Sequence, residues 1–278
     1  MRFSKLQATG NDFILVDARD TERDWSSLAK AMCCYHFGVG ADGLILMQNS
    51  SVADLKTRIF NSDGSEAEVC GNGLRCLTKY AIEKNICSKT TLAIEGLSGI
   101  RQVKAYLSGN KVSRVEVNMG MPRFEPEQIP VEAKVNIIPI LNYPVMVEET
   151  KLALSLLSMG NPHAVTFLSE SVTRFPLTRI GPKVERHPMF PQRTNFEIAR
   201  VLSERRIEAR VWERGVGETL ACGSGACAIG VTAQLAGHID REVDITFPGG
   251  TLTVFWDRIG DVLLTGPVEE VFSGEWLL

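Results

Sequence analysis

Two cysteine residues each begin a glycine-rich loop. Cys70 is followed by Gly71-Asn72-Gly73 and Cys222 by Gly223-Ser224-Gly225, so both copies have the pattern Cys-Gly-polar-Gly. The cysteines stand 152 residues apart, at positions 70 and 222. Each loop leads into a segment that can form a helix, which places the thiol at a helix N-terminus. Because the helix dipole and unpaired amides lower a thiol pKa from its free value of about 8.5, we expect a lowered pKa, which favours the thiolate, at each position.

Two such groups acting together could invert a carbon centre. A thiolate can remove the proton from one face of a Cα–H, while an opposed thiol supplies a proton to the other face, and no cofactor is needed. The glycines let backbone N–H groups approach a ligand, so each loop is also a candidate anion site. Such a site can stabilise the negative charge that spreads onto a substrate carboxylate as the Cα–H bond breaks.

The cysteine loops are part of a longer internal repeat. Three more pairs of segments recur at nearly the same spacing: Gly10-Asn11 with Gly160-Asn161, Ile59-Phe60-Asn61 with Val211-Trp212-Glu213, and Ser98-Gly99 with Gly249-Gly250. Repeated segments that keep both their order and their spacing indicate two copies of one folding unit. If the copies face each other, their thiols face each other across a shared cleft.

The elements that must position these loops are short strands and helices. Apolar runs and, at Leu55–Asn61, alternating apolar and polar residues are among the patterns that predict strands. The predicted strands are Phe13–Val16, Leu44–Met47, Leu55–Asn61, Thr91–Ile94, Ile100–Tyr106, Val112–Asn118, Ala164–Leu168, Phe196–Leu202, Ile207–Glu213, Val243–Phe247 and Thr251–Trp256. Helices are predicted from an N-cap at Asp24 through Tyr35, after Cys70, near Leu177–Arg186 and after Cys222. The first should bury Leu28, Ala31, Met32 and Tyr35, and the second Leu74, Leu77 and Ala81.

The segment Thr219–Gly237 contains no charged residue, so the helix after Cys222 should be buried on all sides. A small-residue helix wrapped by short strands fits each half of the chain. A proline-rich passage from Met121-Pro122 through Pro130 marks the predicted crossing between the halves.

The composition is that of an ordinary soluble globular protein. Hydrophobic residues make up 44% of the 278 residues and charged residues 23%, and the net charge is −3, so neither nucleic acid nor a membrane is a predicted partner. The segment Met1–Phe13 is too polar for a signal peptide, and no apolar run reaches the about 18 residues of a membrane helix. The odd number of cysteines, seven, with no Cys-x-x-Cys pair, predicts reduced thiols in a cytoplasmic protein. Five of them are predicted to be small hydrophobic residues: Cys33, Cys34, Cys76, Cys87 and Cys227.

At these residues the sequence resembles the diaminopimelate epimerases, of the pyridoxal-independent amino-acid racemases. The motifs that carry the resemblance extend over essentially the whole chain: Gly10-Asn11-Asp12-Phe13, Phe60-Asn61-Ser62-Asp63-Gly64-Ser65, Cys70-Gly71-Asn72-Gly73-Leu74-Arg75-Cys76, Met159-Gly160-Asn161-Pro162-His163, Glu213-Arg214-Gly215 and Cys222-Gly223-Ser224-Gly225-Ala226-Cys227. A single Cys-Gly-x-Gly is a weak signal, whereas the whole set in this order is highly specific.

The resemblance implies an α/β (α+β) fold of two pseudo-symmetric lobes, each a mostly antiparallel strand barrel around a central helix. From this resemblance we expect an N-terminal lobe of residues 1–118 together with residues 264–278, and a C-terminal lobe of residues 119–263. We also expect a homodimer. The implied activity is the interconversion of LL- and meso-diaminopimelate in lysine and peptidoglycan-precursor biosynthesis, with no metal and no other cofactor.

The resemblance also implies roles for particular residues. Cys70 and Cys222 would be the acid/base pair, and the reacting carboxylate would be held by Gly71, Asn72, Gly223 and Ser224. The distal amino-acid end of the substrate would be held by Asn11, Asn61, Asn161, Asn195, Glu213 and Arg214. Arg214 suits a carboxylate and Glu213 an ammonium, while asparagine amides offer both a donor and an acceptor.

Several of these roles have alternatives. Asn11 and Asn161 taken singly are common turn residues, although their matched positions favour contact with the ligand. His163 and Glu213 are expected to tune the pKa of the thiols, and a structural or capping role is the alternative for His163. Some relatives carry Gln where this chain has Gly43, so any ligand contact there is made by the backbone or is missing.

Three other functions are weighed against this one. A racemase of the same scaffold for proline, hydroxyproline or histidine would also keep paired thiols, but the polar residues at 61, 195, 213 and 214 favour a substrate with a second amino-acid end. A dinucleotide-dependent oxidoreductase is disfavoured because the glycine after Gly225 is Gly230, the wrong spacing for the fingerprint. A metal site at Cys33, Cys34 and His36 is disfavoured because adjacent cysteines are poor co-ligands without a second pair.

Overall fold

The chain forms two compact units. The structure, a computed structural model, describes residues 1–67, 70–133 and 137–277. Unit 1 comprises Met1–Asn118 with Thr265–Leu278, and unit 2 comprises Met119–Leu264. Glu68 and Val69, which directly precede the first cysteine loop, lie outside the described residues.

The secondary structure is mostly strands. In chain order the elements are β1 (Arg2–Ala8), β2 (Asn11–Asp17), α1 (Trp25–Cys33), β3 (Gly43–Gln48), β4 (Leu55–Asn61), β5 (Glu66–Ala67), α2 (Gly71–Glu83), β6 (Thr91–Gly96), β7 (Gly99–Ser108), β8 (Lys111–Asn118), β9 (Ile140–Val147), β10 (Thr150–Ser158), β11 (Pro162–Phe167), a 3-10 turn (Val172–Arg174), α3 (Leu177–Glu185), β12 (Asn195–Ser203), β13 (Arg206–Glu213), β14 (Gly217–Thr219), α4 (Gly223–Leu235), β15 (Glu242–Phe247), β16 (Gly250–Phe255), β17 (Leu263–Pro267) and β18 (Glu269–Glu275).

In unit 1 the strands pack around α2. β1 pairs with β2 and β18, β3 with β4, and β6 with β7, all antiparallel, whereas β2 runs parallel to β3 and β4 parallel to β6. α2 contacts strands from both ends of the unit, including β1 and β8, and buries the predicted Leu74, Leu77 and Ala81. The helix therefore holds the strands of unit 1 together through its apolar face.

Unit 2 repeats this plan around α4. β11 runs parallel to β12, β12 antiparallel to β13, and β13 parallel to β15, as β2, β3, β4 and β6 do in unit 1. The turn glycines that precede β2 and β11, Gly10 and Gly160, both have a left-handed φ, +83° and +95°. α2 and α4 have 13 residues each and begin at matched positions, 71 and 223. The α/β fold of mostly antiparallel strands around a central helix in each unit is thus confirmed.

α4 is enclosed by apolar side chains, as the absence of charge predicts. Every residue from Gly223 to Gln234 is buried except Ser224, which is partly exposed. Its first turn carries Cys222 into the same apolar cluster as Ala226 and Cys227. α3 is also confirmed, at Leu177–Glu185. In the ranges given above, no helix has the length and apolar character needed to cross a membrane.

The first helix is shorter than predicted. Asp24 is its N-cap, accepting from the amide of Ser27 at 3.0 Å, but α1 ends at Cys33. The chain then turns back so that Gly38 lies against the helix end, where an added Cβ would be 2.3 Å from the carbonyl oxygen of Ala31. The predictions that Tyr35 and Ala31 are buried are therefore wrong, and the buried residues are Trp25, Ala29, Met32 and Cys33.

Cys34 is exposed just past this helix end, so its prediction as a small buried residue is also wrong. Its neighbour Cys33 is buried. Across the described ranges, no group of three or more His, Cys, Asp and Glu side chains is arranged to hold a metal ion.

Candidate active site

Cys70 lies at the N-terminus of α2 in unit 1. It is the N-cap residue, with an extended backbone (φ −106°, ψ 120°), and its carbonyl oxygen accepts the first helical hydrogen bond, from the amide of Leu74 at 3.0 Å. The thiol is half-buried. Gly71 and Asn72 are buried in the first turn, where amides have no partner within the helix. The predicted placement of a cysteine at a helix N-terminus is confirmed here.

Asn11, Asn72 and Cys70 come together in unit 1. Oδ1 of Asn11 accepts from Nδ2 of Asn72 at 3.0 Å and lies 3.9 Å from Sγ of Cys70. Nδ2 of Asn11 donates to Oδ2 of Asp42 at 2.7 Å. The structure thus connects three of the predicted site residues through the side chain of Asn11.

Asn61 lies at the end of β4, opposite Gly43 of β3. Its side chain is exposed, and Nδ2 donates to Oγ of Ser65 at 2.9 Å within the turn that follows. A Cβ added to Gly43 would be 2.7 Å from the carbonyl oxygen of Phe60, so this position has no room for a side chain unless the backbone moves.

Cys222 lies at the N-terminus of α4 in unit 2 and is also an N-cap residue, with φ −127° and ψ 124°. Its Sγ accepts from the amide of Gly225 at 3.4 Å and lies 3.5 Å from Oγ of Ser224. The thiol is buried, with 6% of the residue exposed. The two cysteines of the repeat therefore have the same place in their helices.

The surroundings of Cys222 favour the protonated thiol. Burial raises its pKa well above that of an ordinary thiol, and the negative charges of Glu213 and Glu197 raise it further, whereas hydrogen bonds from Ser224 and Gly225 lower it. The prediction of a lowered pKa is therefore wrong for Cys222. The hydrogen bond from the Gly225 amide in the first turn of α4 lowers the pKa, but it is the smallest of these causes.

Glu213 connects the end of β13 to this thiol. Burial raises its pKa, while hydrogen bonds with Thr219 and Cys222 lower it. Its Oε1 accepts from Oγ1 of Thr219 at 2.5 Å. Its position therefore supports the predicted influence on the thiol of unit 2, although in the direction of a higher Cys222 pKa.

His163 and Glu197 form a hydrogen-bonded pair with no exposed surface. Nδ1 of His163 lies 2.7 Å from Oε1 of Glu197, and Nε2 lies 2.9 Å from Oδ1 of Asn161. A Cβ added to Gly225 would be 2.9 Å from the same Glu197 oxygen, so this carboxylate packs directly against the first turn of α4. His163 therefore links Asn161 to a carboxylate that also acts on Cys222.

Asn195 and Arg214 hold the turn after β13. Asn195 is buried, its Oδ1 accepts from the amide of Arg214 at 2.9 Å, and its Nδ2 donates to the carbonyl oxygen of Pro162 at 2.8 Å. The Arg214 side chain is exposed and donates to the carbonyl oxygen of Gln192 at 3.2 Å. One N–H of the Asn195 amide remains for a ligand, so this residue can support the turn and contact substrate together.

Sequence reasoning missed four residues that hold these groups. Asp42 binds Asn11, Glu197 binds His163, Thr219 binds Glu213, and Glu185 of α3 accepts from the amide of Gly215 at 3.0 Å. For Glu197 a signal was present, because it is a charged residue between the apolar Phe196 and Ile198 of β12. An acidic residue in such a strand indicates a buried partner.

Gly225 and Gly73 occupy matched positions in α4 and α2, but their surroundings leave different amounts of space for a methyl group. In Gly225→Ala the new Cβ would lie 2.9 Å from Oε1 of Glu197 and 3.2 Å from Cβ of Cys222, both confined, so we expect turnover to fall about 10- to 100-fold. In Gly73→Ala the nearest atom is the flexible end of Ile59, at 2.8 Å, so we expect a loss several times smaller. Steady-state kinetics of both variants test this difference, and an equal loss in the two would contradict it.

Known proteins match the chain over its full length. The family model described as "Diaminopimelate epimerase" matches residues 3–125 and 155–271. Proteins named diaminopimelate epimerase are 45% identical over 282 residues in Moorella thermoacetica, covering 100% of both chains, and 44% identical over 275 residues in Caldanaerobacter subterraneus subsp. tengcongensis, covering 99% of both. A relative of the same name in Methanococcus maripaludis is 42% identical, covering 99% of both chains.

Solved structures share the fold at much lower identity. A Bacillus anthracis phenazine biosynthesis protein of the PhzF family has a TM-score of 0.71 at 17% identity, covering 100% of this chain and 99% of its own. A hydroxyproline epimerase from Agrobacterium vitis, with bound trans-4-OH-L-proline, has a TM-score of 0.69 at 15% identity, covering 99% and 91%. At these identities the likeness concerns the fold alone.

Proposed function

The chain belongs to the diaminopimelate epimerase family and is an amino-acid epimerase, and from that premise we propose that it interconverts LL- and meso-2,6-diaminopimelate by two-base proton transfer. The observation that carries the proposal is the matched position of two cysteines, each the N-cap of a 13-residue helix in a duplicated fold. In this proposal Cys70 and Cys222 flank one Cα of the substrate, and no cofactor takes part.

The proton transfer needs one thiolate and one thiol. The raised pKa of Cys222 favours its thiol form, so we assign it as the proton donor in the direction in which Cys70 is the base. Cys70 then removes the Cα proton from one face, and Cys222 gives its own proton to the other. In the reverse direction the two residues exchange roles, because the thiol formed on Cys70 is the donor and the thiolate left on Cys222 is the base.

The helix N-termini are proposed to stabilise the charge that develops in this reaction. The amides of Gly71 and Asn72 in α2, and those of Gly223 and Ser224 in α4, are first-turn groups at the positive ends of the helix dipoles. Donation to the substrate carboxylate from both loops would hold negative charge as the Cα–H bond breaks. The amide of Gly225 is already engaged with Cys222, so it is not assigned to the carboxylate.

The remaining polar residues are proposed to bind the distal amino-acid end. Arg214 carries an exposed guanidinium suited to a carboxylate, and Glu213 a carboxylate suited to an ammonium. The amides of Asn61, Asn161 and Asn195 would complete this pocket. A pocket built for two charged groups rejects amino acids that lack them, because its own polar groups would then be left unpaired.

The wider setting of the enzyme is part of the same proposal. By its resemblance to the family, the chain would act as a homodimer in the cytoplasm, in lysine and peptidoglycan-precursor biosynthesis. These three statements stay predictions.

Hydrogen exchange with solvent tests the proposed activity. In deuterium oxide we expect the enzyme to invert LL-diaminopimelate and to place one deuterium on the inverted Cα, because the proton given to the product comes from a thiol in exchange with solvent. Mass spectrometry and chiral separation measure both events. Proline, hydroxyproline and histidine are the controls, and inversion of one of them in place of diaminopimelate would support a different substrate on the same scaffold.

A further inference from the structure

Asn11 is held in unit 1 by its amide nitrogen. Its side chain lies 2.7 Å from Oδ2 of Asp42, and an ionised carboxylate can only accept hydrogen bonds. The end of the amide that faces Asp42 must therefore be the NH₂ group, which removes the usual ambiguity in the orientation of an asparagine side chain. As a result, Oδ1 points the other way, toward Asn72 and Cys70, at 3.0 Å and 3.9 Å.

Asp42 is itself held by two hydrogen bonds with Asp12. Its Oδ2 also accepts from the amide of Asp12 at 3.1 Å, and its own amide donates to Oδ1 of Asp12 at 3.0 Å. Oδ2 of Asp12 lies 2.5 Å from Nζ of Lys5, which is 7% exposed and also donates to the carbonyl oxygen of Gly40. Asp42 is exposed, but besides Asn11 its carboxylate binds the backbone amide of Asp12, and Asp12 is itself held by Lys5.

The matched asparagine of unit 2 contacts a histidine side chain. Oδ1 of Asn161 lies 2.9 Å from Nε2 of His163, so when this ring nitrogen donates, the NH₂ group of Asn161 faces away from the histidine. The residue 152 positions after Asp42 is Thr194, which is buried and donates from Oγ1 to the carbonyl oxygen of Asn195 at 3.0 Å. The carboxylate that orients Asn11 is therefore a feature of the first repeat alone.

We propose that Asp42 is a positioning residue that orients the Asn11 amide so that only its oxygen faces the ligand, and that Asn11 therefore recognises an ammonium group of the substrate and no carboxylate. An ammonium offers three N–H donors to this oxygen, whereas a carboxylate would place acceptor against acceptor. This inference rests on the proposed function and narrows the role of one residue in it. Asp42 acts through Asn11 and makes no contact with the substrate.

Removing the Asp42 carboxylate should release the Asn11 amide. In Asp42→Ala we expect the KM for diaminopimelate to rise about 10-fold with little change in kcat, because a contact made equally to bound substrate and transition state is lost. Asp42→Asn should keep the wild-type KM, since its amide oxygen can still accept from both Asn11 and Asp12. Asp54→Ala is the matched control, because Asp54 also accepts one backbone amide, from Ala93, and one side-chain N–H, from Lys89.

A double-variant cycle separates this role from a general effect on folding. If Asp42 acts only through Asn11, adding Asp42→Ala to Asn11→Ala should change KM by less than about 2-fold. Three results would each overturn the inference. They are a double variant whose increase in KM is the product of the two single increases, a wild-type KM in Asp42→Ala, and an increase in KM in Asp42→Asn as large as that in Asp42→Ala. The wild type is assayed first, and a wild type that does not invert diaminopimelate would overturn the proposed function instead.

Discussion

Replacing either Cys70 or Cys222 with alanine should lower the rate of inversion by about 100- to 10,000-fold, the contribution of one general acid or base. The reason is that a two-base reaction needs one sulfur on each side of the carbon, and a methyl group can neither take nor give a proton. The measurement is the kcat for interconversion of LL- and meso-diaminopimelate, followed by chiral separation of the products. Wild-type turnover in Cys222→Ala would contradict the two-base scheme.

Deuterium exchange makes this result specific to two bases. With one thiol removed, the other can still take a Cα proton and return a deuteron to the same face. Each alanine variant should therefore exchange hydrogen in one configuration of the substrate and leave its stereochemistry unchanged. The two variants should prefer opposite configurations, and equal exchange of both configurations by a single variant would contradict the assignment of one face to each cysteine.

Two other cysteine substitutions complete the comparison. Cys76 lies in the same helix as Cys70, and burial raises its pKa to about 12, so Cys76→Ala should keep the wild-type mechanism and lose only some stability. Serine at position 70 or 222 should leave a slow remnant of activity, because a hydroxyl group is a poorer base than a thiol. Full activity in both serine variants would argue against a thiolate base.

The sequence predicted the position of these cysteines because that position depends on local rules. A Cys-Gly-x-Gly loop before an apolar run specifies a helix start, and the repeat specified that it occurs twice. The same repetition is present in the strand pairing, because His163 of β11 lies opposite Asn195 of β12, and Phe13 of β2 lies opposite Gly43 of β3. A short motif alone could not specify this register. Local signals and internal symmetry were therefore enough to predict α2, α4 and most of the strands around them.

The protonation of Cys222 could not be predicted in the same way. It depends on burial by strands that are distant in sequence and on Glu197 and Glu213, which reach the thiol only after β12 and β13 have paired. The end of α1 at Cys33 likewise depends on the close packing of Gly38, and the strand β18 forms on the far side of β1 although few of its residues are buried. Tertiary contacts decide all three features, and none of them leaves a clear pattern in the sequence.

Glu213→Gln should lower kcat/KM for diaminopimelate about 100-fold and lower the pKa of Cys222. The activity should fall because the variant loses the negative charge that is proposed to bind the substrate ammonium. Hydrogen bonds between charged groups contribute more to binding than those between neutral groups. The pKa should fall because, after burial, the carboxylate of Glu213 is the strongest cause of its elevation. Glutamine has nearly the same shape and can still accept from Thr219, so the packing around it should change little.

The pH dependence of alkylation measures the second effect directly. Iodoacetamide reacts only with the thiolate, and peptide mass spectrometry measures how fast it modifies Cys222 at each pH. The pH at which this rate begins to increase should be lower in Glu213→Gln than in the wild type. Glu218→Gln is the matched control, because Glu218 lies on the adjacent strand β14 and its carboxylate pairs with Nε of Arg210 at 2.7 Å. An unchanged alkylation profile in Glu213→Gln, or the same displacement in Glu218→Gln, would mean that the charge of Glu213 does not set the protonation of this thiol. A displaced profile with unchanged kcat/KM would separate the two roles, leaving Glu213 as a residue that acts on the thiol alone.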